Sequence, residues 1–305
     1  MIRNILPAGV LVLTLGGANA GAVEYKGLCE ASAGAFLDDT HFVVASDETN
    51  RLQLYQRGKP DPIGDGIDMK PFTSFEKSDL EAAAAVGDRI YWISSHSLNS
   101  KGKDQPKRKI FFATKIGSLD GKPTLTGIGS PVTNLRDTLA KSAGASAGEL
   151  NIEALAATPQ GGLLIGLRAP LRAGKALVIP FSNPGPVVDR GAPPDIGEAV
   201  AIDLKGLGLR SMDLIPGTAG YIIIAGPISD SDGFMAFRWA GPGTTPEEIK
   251  DVNLTGIRPE GAMVVPGQNI VQLLSDDGDV CSDEDDPPAQ RRFRSIDIGP
   301  KNLRQ

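Results

Sequence analysis

The sequence predicts an all-β chain in which one structural unit recurs, and three observations support this prediction. The chain of 305 residues contains 37 glycines and 23 prolines, which favours many turns. A short acidic phrase returns at intervals of about 50–70 residues, which is a period typical of repeat architectures. After each copy come a turn and an apolar strand pattern. Strand-rich units at this period are typical of a β-propeller, which is the fold class we predict.

The acidic phrase places a glutamate at the start of four units. The glutamates are Glu30, Glu81, Glu153 and Glu260. A fifth, degenerate copy at 209–216 carries Ser211 at the position that we align with them. Each phrase is predicted to begin the innermost strand of its unit, so these side chains are expected around one axis.

Three further strands are predicted in most units. Continuous apolar runs predict second strands with packed neighbours on both faces, at 41–48, 89–96, 163–168, 221–227 and 270–277. More alternating patterns predict third strands at 51–56, 109–116, 175–181, 234–240 and 291–298. Polar outer strands are predicted at 66–72, 123–129, 199–204 and 249–254.

The two ends of the chain are predicted to close the ring. The fifth unit has no fourth strand after Ile298, and the segment 22–27 belongs to no unit. If segment 22–27 pairs with the last predicted strand, 291–298, no sheet edge is left open and the ring has five blades. Six blades would require a divergent blade within 117–150, where the pattern at 135–144 instead favours a short helix.

The N-terminus and the overall charge restrict location and partners. Residues 1–20 combine a basic start, an apolar stretch and Ala18-Asn19-Ala20, a pattern typical of a cleaved signal peptide. We therefore predict a periplasmic or secreted protein whose residues 21–305 form one domain, with no membrane-spanning segment after cleavage. The net charge of −6 argues against a nucleic-acid partner. The oligomeric state is left open.

The two cysteines are predicted to form a disulfide bond. Cys29 begins the first inner strand, and Cys281 follows the second strand of the fifth blade. A closed ring makes these blades neighbours, and an oxidising compartment favours the bond. A cross-link between positions this far apart would stabilise the fold by about 5 kcal/mol in the chain-entropy model. The alternative is two unrelated buried thiols.

One face of the ring is predicted to collect acidic side chains. Strand direction alternates, so the starts of first strands and the ends of second strands meet on the same face. The predicted metal ligands are Glu30, Glu81, Glu153, Glu260, Asp276 and Asp277. Calcium is the cation that such carboxylates suit best. The alternatives are ion pairing with Arg168, Arg210 and Arg258, or glutamates that act as clamps between blades.

Further polar groups on this face suggest how a ligand could be bound and turned over. His96 ends a second strand and is predicted to move a proton, while Arg168 would stabilise developing anionic charge. The predicted ligand-binding residues are Asp47, Glu48, Lys101 and Lys103. The two lysines lie in a basic loop that could equally be an exposed, flexible segment. His/Cys zinc sites, a phosphate-binding glycine loop and a Gly-x-Ser-x-Gly elbow are all missing from the sequence.

Several segments together resemble a bacterial family, domain of unknown function 3616. They lie at 28–32, 93–96, 151–155, 166–168 and 274–278. The resemblance implies a propeller-like protein, secreted or cytosolic, without an established activity. The glycine expected after the repeated glutamate is present only at Gly261. More distantly, the repeat is similar to esterase-like phytase and gluconolactonase-type propellers, whose metal lies in the channel.

Two functional hypotheses follow from these patterns. The first is a calcium-assisted hydrolase of phosphate esters or lactones, acting on an anionic small molecule. The second is a non-catalytic module that binds a sugar, a peptide or an envelope component through the same face. The sequence does not choose between them.

Overall fold

Strand pairing in the computed structural model follows the sequence repeat closely. The structure describes residues 22–218, 220–229, 231–282 and 285–299, so the predicted signal peptide lies outside the described residues. Five separate four-stranded antiparallel sheets are formed, and each corresponds to one predicted unit. The prediction of a five-bladed, all-β propeller is confirmed, and the six-bladed alternative is wrong.

Four blades are built from consecutive strands, with the innermost strand first. Blade 1 contains β2 (Ala33–Phe36), β3 (His41–Ala45), β4 (Arg51–Gln56) and β5 (Ile63–Asp68). Blade 2 contains β6 (Leu80–Val86), β7 (Arg89–Ser94), β8 (Phe111–Leu119) and β9 (Lys122–Val132). Blade 3 contains β10 (Asn151–Ala157), β11 (Leu163–Arg172), β12 (Lys175–Phe181) and β13 (Val200–Ile202). Blade 4 contains β14 (Gly208–Leu214), β15 (Tyr221–Gly226), β16 (Met235–Trp239) and β17 (Glu247–Glu248).

The fifth blade combines both ends of the described chain. It contains β18 (Pro259–Val264), β19 (Val271–Ser275), β20 (Arg292–Ile298) and β1 (Val23–Lys26). β1 pairs antiparallel with β20, with Val23 opposite Ser295 and Lys26 opposite Arg292. The predicted closure by 22–27 is therefore confirmed.

Short helices lie between some strands. They are α1 (Lys70–Thr73), α2 (Arg136–Ala143) and α3 (Pro184–Arg190), with single 3₁₀ turns at Pro106–Arg108 and Ala147–Glu149. α2 confirms the helix predicted within 135–144, and its Leu139 is fully buried against blades 2 and 3. Among the described residues, no helix has both the length and the apolar character needed to cross a membrane.

Two of the predicted outer strands lie elsewhere. The strand expected at 249–254 is wrong, since only Glu247–Glu248 pairs with β16. The strand expected at 66–72 ends at Asp68, and α1 follows it. Outer strands are half exposed and carry weak patterns, so polar sequence alone places them poorly.

The core lies between neighbouring blades. At the junction of blades 5 and 1, the rings of Tyr25, Phe42, Tyr55 and Phe293 pack with centroids 5.2–5.5 Å apart. Cys29 and Cys281 form a disulfide bond across the same junction, with their Cα atoms 5.6 Å apart. The predicted disulfide is confirmed, and the alternative of two unrelated thiols is wrong.

Candidate functional site at the channel mouth

The inner strands of four blades share an irregularity at their first residues. Strand pairing skips one residue in each of β6, β10, β14 and β18. The skipped residues are Glu81, Glu153, Arg210 and Glu260. Such a bulge redirects the side chain of the extra residue. In blade 1, Glu30 lies just before β2 and forms an isolated bridge with Asp276. The repeat thus directs one long charged side chain per blade towards the channel mouth.

The degenerate fifth copy differs from the sequence alignment by one residue. The bulge in β14 lies at Arg210, between Leu209 and Ser211, so Arg210 replaces glutamate. Ser211 belongs to the regular ladder, and its Oγ accepts a hydrogen bond from the Ala262 N–H at 2.8 Å. An apolar residue precedes the bulge in blades 2, 3 and 4, namely Leu80, Ile152 and Leu209. Alignment on that residue would have identified Arg210.

The four bulged side chains line a cavity of about 350 Å³ at the mouth, and Glu30 lies outside this lining. Six acidic and four basic side chains contribute to its wall, together with Asn151 and Ser231. The charged residues are Asp47, Glu81, Glu153, Glu260, Asp276, Asp279, Arg108, Arg168, Arg210 and Arg258. The predicted gathering of distant acidic residues on one face is therefore present.

Arginines neutralise one side of the cavity. Glu153 accepts hydrogen bonds from Arg168 Nη1 at 2.8 Å and from Arg210 Nη1 at 2.6 Å. Arg210 Nη2 also lies 3.4 Å from Glu260 Oε1, so Arg210 joins the glutamates of the two neighbouring blades. Arg210 is only 4% exposed. Glu153 is thus held by protein groups, as the ion-pairing alternative predicts.

Carboxylates dominate the other side. Asp47, Asp79 and Glu81 each offer one oxygen, and these oxygens lie within 4.8 Å of one another. Glu30, Asp47 and Glu48 form a second group by the same measure, so Asp47 is common to both. Arg108 Nη1 lies 2.6 Å from Asp79 Oδ1 and offsets part of this charge. Lys77 is paired with Glu48 in the second group, so a guanidinium and an ammonium both offset charge on this side.

Burial and mutual repulsion favour the protonated form of these acids. Burial raises the pKa of Asp47 to about 7, and the charges of Asp79, Glu48 and Asp276 add to the increase. Burial, then Asp79 and Asp47, raises the pKa of Glu81 well above its usual value. Burial followed by Glu153 does the same for the pKa of Glu260. A divalent cation would relieve this repulsion and allow the acids to ionise.

Six of the twelve predicted site residues line the cavity, and Glu30 lies in one acidic group with Asp47, but His96 is not at the mouth. Its side chain is fully buried and does not line the cavity. Its Nδ1 lies 2.9 Å from the backbone oxygen of Ser94. Burial lowers its pKa to about 4, so the imidazole is neutral at neutral pH.

Four other predicted residues are engaged outside the cavity or exposed. Glu48 is paired with Lys77. Asp277 is buried beside Arg294, whose Nη2 lies 2.6 Å from Asp277 Oδ1. This ion pair gives the Asp277 carboxylate a structural role. Lys101 and Lys103 are exposed and do not line the cavity. The basic loop instead contributes Arg108.

Sequence reasoning missed three residues around the site. Asp79 directly precedes Leu80 at the start of β6, Arg108 ends the basic loop, and Asp279 follows Asp276 by three residues. Asp79 and Asp279 lie next to phrases that the repeat had already identified, so their proximity was a usable signal. Arg108 belongs to the basic loop that the sequence had already placed on this face, but which of the loop's cations reaches the cavity depends on the path of the loop.

Comparison with known sequences agrees with the family resemblance. A sequence model of the family described as "Protein of unknown function (DUF3616)" matches residues 140–256. The resemblance to that family is confirmed. The segment matched to DUF3616 contains β10–β17 with Glu153, Arg168 and Arg210, which form the neutralised side of the cavity. No curated protein matches this chain.

Solved structures that are similar to this chain include several enzymes. Glutaminyl cyclase from Myxococcus xanthus aligns with a TM-score of 0.47 and 12% identity, over 90% of this chain and 94% of that one. A putative oxidoreductase (glucose dehydrogenase) from Thermus thermophilus gives 0.48 and 12%, over 91% and 100%. The PQQ-bound aldose sugar dehydrogenase from Streptomyces coelicolor gives 0.47 and 11%, over 92% and 99%.

Proposed function

We propose that the acidic side of the mouth binds a calcium ion and that the protein is a calcium-assisted hydrolase of an anionic small molecule, a phosphate ester or a lactone. The observation that carries the proposal is the group of Asp47, Asp79 and Glu81 beside an arginine-lined wall. Oxygens that share a calcium ion at about 2.4 Å can lie no farther apart than about 4.8 Å. The oxygens of these three residues meet this limit.

The other predicted ligands are distributed around this centre. Glu30, a predicted metal ligand, forms the second group with Asp47 and Glu48, so it could supply a further oxygen towards the six to eight that calcium takes. Glu48, which was predicted to bind the ligand rather than the metal, is paired with Lys77. Asp276 lines the same cavity, and burial raises its pKa. Glu153 is assigned to ion pairing rather than to the cation, because two arginines hold its carboxylate.

The arginine wall would bind the anionic part of the ligand. Arg258 is 31% exposed and Arg108 is 22% exposed, whereas Arg168 is 12% exposed. Arg258 and Arg108 therefore reach a ligand most readily, with Arg168 behind them. Guanidinium groups suit phosphate and carboxylate oxygens because they donate two parallel hydrogen bonds.

Proton transfer is assigned to Glu260 instead of His96. Glu260 lines the cavity, and burial followed by the charge of Glu153 raises its pKa well above the ordinary value, which favours the protonated form. A protonated acid beside the ligand can donate to a leaving group. When bound, the cation would polarise the ligand and lower the pKa of a bound water.

Calcium binding is the first test. The melting temperature should rise by several degrees when calcium is added to chelator-treated protein, because ligand at a hundred times Kd stabilises by about 2.7 kcal/mol. The double variant Asp47→Asn/Glu81→Gln should lose this response. Glu247→Gln is the matched control, since Glu247 is exposed in β17. An unchanged melting temperature in the wild type, or an unchanged response in the double variant, contradicts the proposal.

Activity decides between catalysis and binding. His96 is fully buried and does not line the cavity, which favours the alternative of a non-catalytic module for a sugar, peptide or envelope partner. A panel of generic phosphate esters and lactones should show calcium-dependent turnover that Glu260→Gln abolishes while calcium binding persists. Calcium binding without any turnover would assign the face to the binding module.

A periplasmic or secreted location is part of this proposal. The Cys29–Cys281 bond supports it, because disulfides persist mainly in oxidising compartments. Millimolar calcium is also more typical of extracellular sites.

A further inference from the structure

A second cavity lies between blades 5 and 1, on the face opposite the mouth. Its volume is about 240 Å³, and Tyr25, Thr40, Arg57, Gln272, Ser295 and Asp297 contribute to its lining. Thr40 belongs to the turn between β2 and β3, which places the cavity at the other end of the strands from Glu30. The cavity is far larger than the roughly 15 Å³ that a single water requires.

Gln272 is the unusual residue of this cavity. It is 1% exposed, and neither its Oε1 nor its Nε2 has a hydrogen-bond partner among the described residues. Its amide lies beside the Tyr25 hydroxyl without forming a hydrogen bond of normal geometry. Burial raises the pKa of Tyr25, and the Gly58 N–H and then the Gln272 amide oppose that increase. A buried amide without partners costs about 1–3 kcal/mol, so a group that satisfies both of its atoms would be bound favourably.

The neighbouring charges indicate a neutral occupant. In β20, Asp297 lies opposite Gln272, and its carboxylate is paired with Arg57. The one guanidinium in the described lining is thus already neutralised, and the only further charge there is that of Asp39, which is exposed. Arg57 Nε still lacks an acceptor among the described residues. The lining therefore offers both donors and acceptors but no net attraction for an anion.

We propose that this cavity is a binding site for a neutral polyol of monosaccharide size, recognised by Gln272, Arg57 and Asp297. A hydroxyl both donates and accepts a hydrogen bond. Two adjacent hydroxyls can therefore pair with the oxygen and the nitrogen of the Gln272 amide at the same time. A third can accept from Arg57 Nε. This cavity lies on the face opposite the proposed calcium site, so the two proposals are independent of each other.

Saturation-transfer NMR with glucose, galactose, mannose and myo-inositol, each at millimolar concentration, tests the site. At least one should bind saturably to the full-length mature protein, and Gln272→Met should weaken that binding about tenfold or more, the value of one to two hydrogen bonds. Gln160→Met is the matched control, because Gln160 lines a different cavity between blades 3 and 4.

Each outcome of the experiment decides the proposal. Ser295→Ala, which removes a hydroxyl from the lining, replaces Gln272→Met if that variant fails to fold, and it should also weaken binding. The proposal is overturned if none of the four polyols binds to the wild type, or if binding survives both substitutions unchanged. A crystal structure of the protein soaked with the tightest binder that shows only water beside Gln272 also overturns it.

Discussion

His96 shows how burial sets the charge of a single side chain. The sequence places it among Ser94, Ser95 and Ser97 at the end of a strand, where a polar residue is expected to meet solvent. The backbone instead takes a left-handed conformation at His96, with φ of 56°, and the side chain is fully buried. Its Nε2 has no partner among the described residues. A neutral imidazole is the form that such surroundings tolerate.

The burial of His96 makes stability depend on pH in a defined direction. Its pKa is about 4 in the folded protein against 6.5 for an ordinary histidine. Between these values the unfolded chain binds more protons, so the free energy of unfolding should fall as the pH drops from 6.5 towards 4. The loss attributable to this group is at most about 3 kcal/mol.

His96→Asn isolates this contribution. Asparagine tolerates the left-handed backbone, and its amide can donate to the Ser94 oxygen as Nδ1 does. Urea unfolding at a series of pH values should show the wild type losing stability relative to the variant below pH 6.5. Parallel curves for the two proteins would show that His96 takes up its proton equally in both states.

The charged side chains at the channel mouth show which residues the sequence could predict and which it could not. Glu81, Glu153 and Glu260 were predicted at the mouth because they repeat with the strands. Arg210 was misaligned because the fifth copy was aligned on Ser211; alignment on Leu209, the apolar residue before the bulge, places Arg210 with the glutamates. Which carboxylates are neutralised could not be predicted either, since the reach of Arg108 and Arg210 depends on side-chain positions across blades.

At the scale of elements, polar side chains join the inner strand of blade 4, β14, to the inner strand of blade 5, β18. The Ala262 N–H donates to Ser211 Oγ at 2.8 Å, and the Val264 N–H donates to Asp213 Oδ2 at 2.7 Å. Inner strands of different blades do not share a ladder, so these amides would otherwise lack a partner. The clamp between blades that the sequence suggested for the glutamates is thus provided in blade 4 by Ser211 and Asp213.

Ser211→Ala should weaken the contact between the inner strands of blades 4 and 5. The buried Ala262 amide would lose its acceptor, which costs about 1–3 kcal/mol. Urea unfolding should show that loss, and hydrogen exchange should become faster at the Ala262 amide. Ser229→Ala is the matched control, because Ser229 is exposed and its hydroxyl hydrogen-bonds the exposed Ser231 hydroxyl. Equal stability of the two variants would mean that water replaces the Ser211 hydroxyl at no cost.

The burial of each strand explains how well the sequence predicted it. The second strands are almost fully buried, as in β15, where all six residues are buried, and their apolar runs are unambiguous. The outermost strands face solvent on one side and have few residues, as β17 shows with two. Their positions depend on pairing with the third strand more than on their own composition, so the prediction at 249–254 was wrong.

At the scale of the whole molecule, blade 5 holds the ring closed by two different means. β1 adds the outer strand through backbone pairing with β20, and the rings of Tyr25 and Phe293 stack with centroids 5.4 Å apart. The disulfide joins Cys29 before blade 1 to Cys281 in blade 5, across 252 residues of sequence. Opening the ring between these blades would expose two sheet faces at once, so this junction controls the stability of all five blades.

Removal of the disulfide should therefore destabilise the whole propeller rather than one blade. In the chain-entropy model, a cross-link over this length contributes about 5 kcal/mol, and native strain reduces the figure. Cys29→Ala/Cys281→Ala should lose about 2–5 kcal/mol in urea unfolding, with one cooperative transition retained. Reduced wild-type protein is the control, because it keeps the sulfur atoms and the packing but lacks the bond. If the cross-link itself is responsible, both proteins should unfold at nearly the same urea concentration. A double variant as stable as the oxidised wild type, or peptide mapping that finds both thiols free, would show that strand β1 and its aromatic contacts close the ring alone.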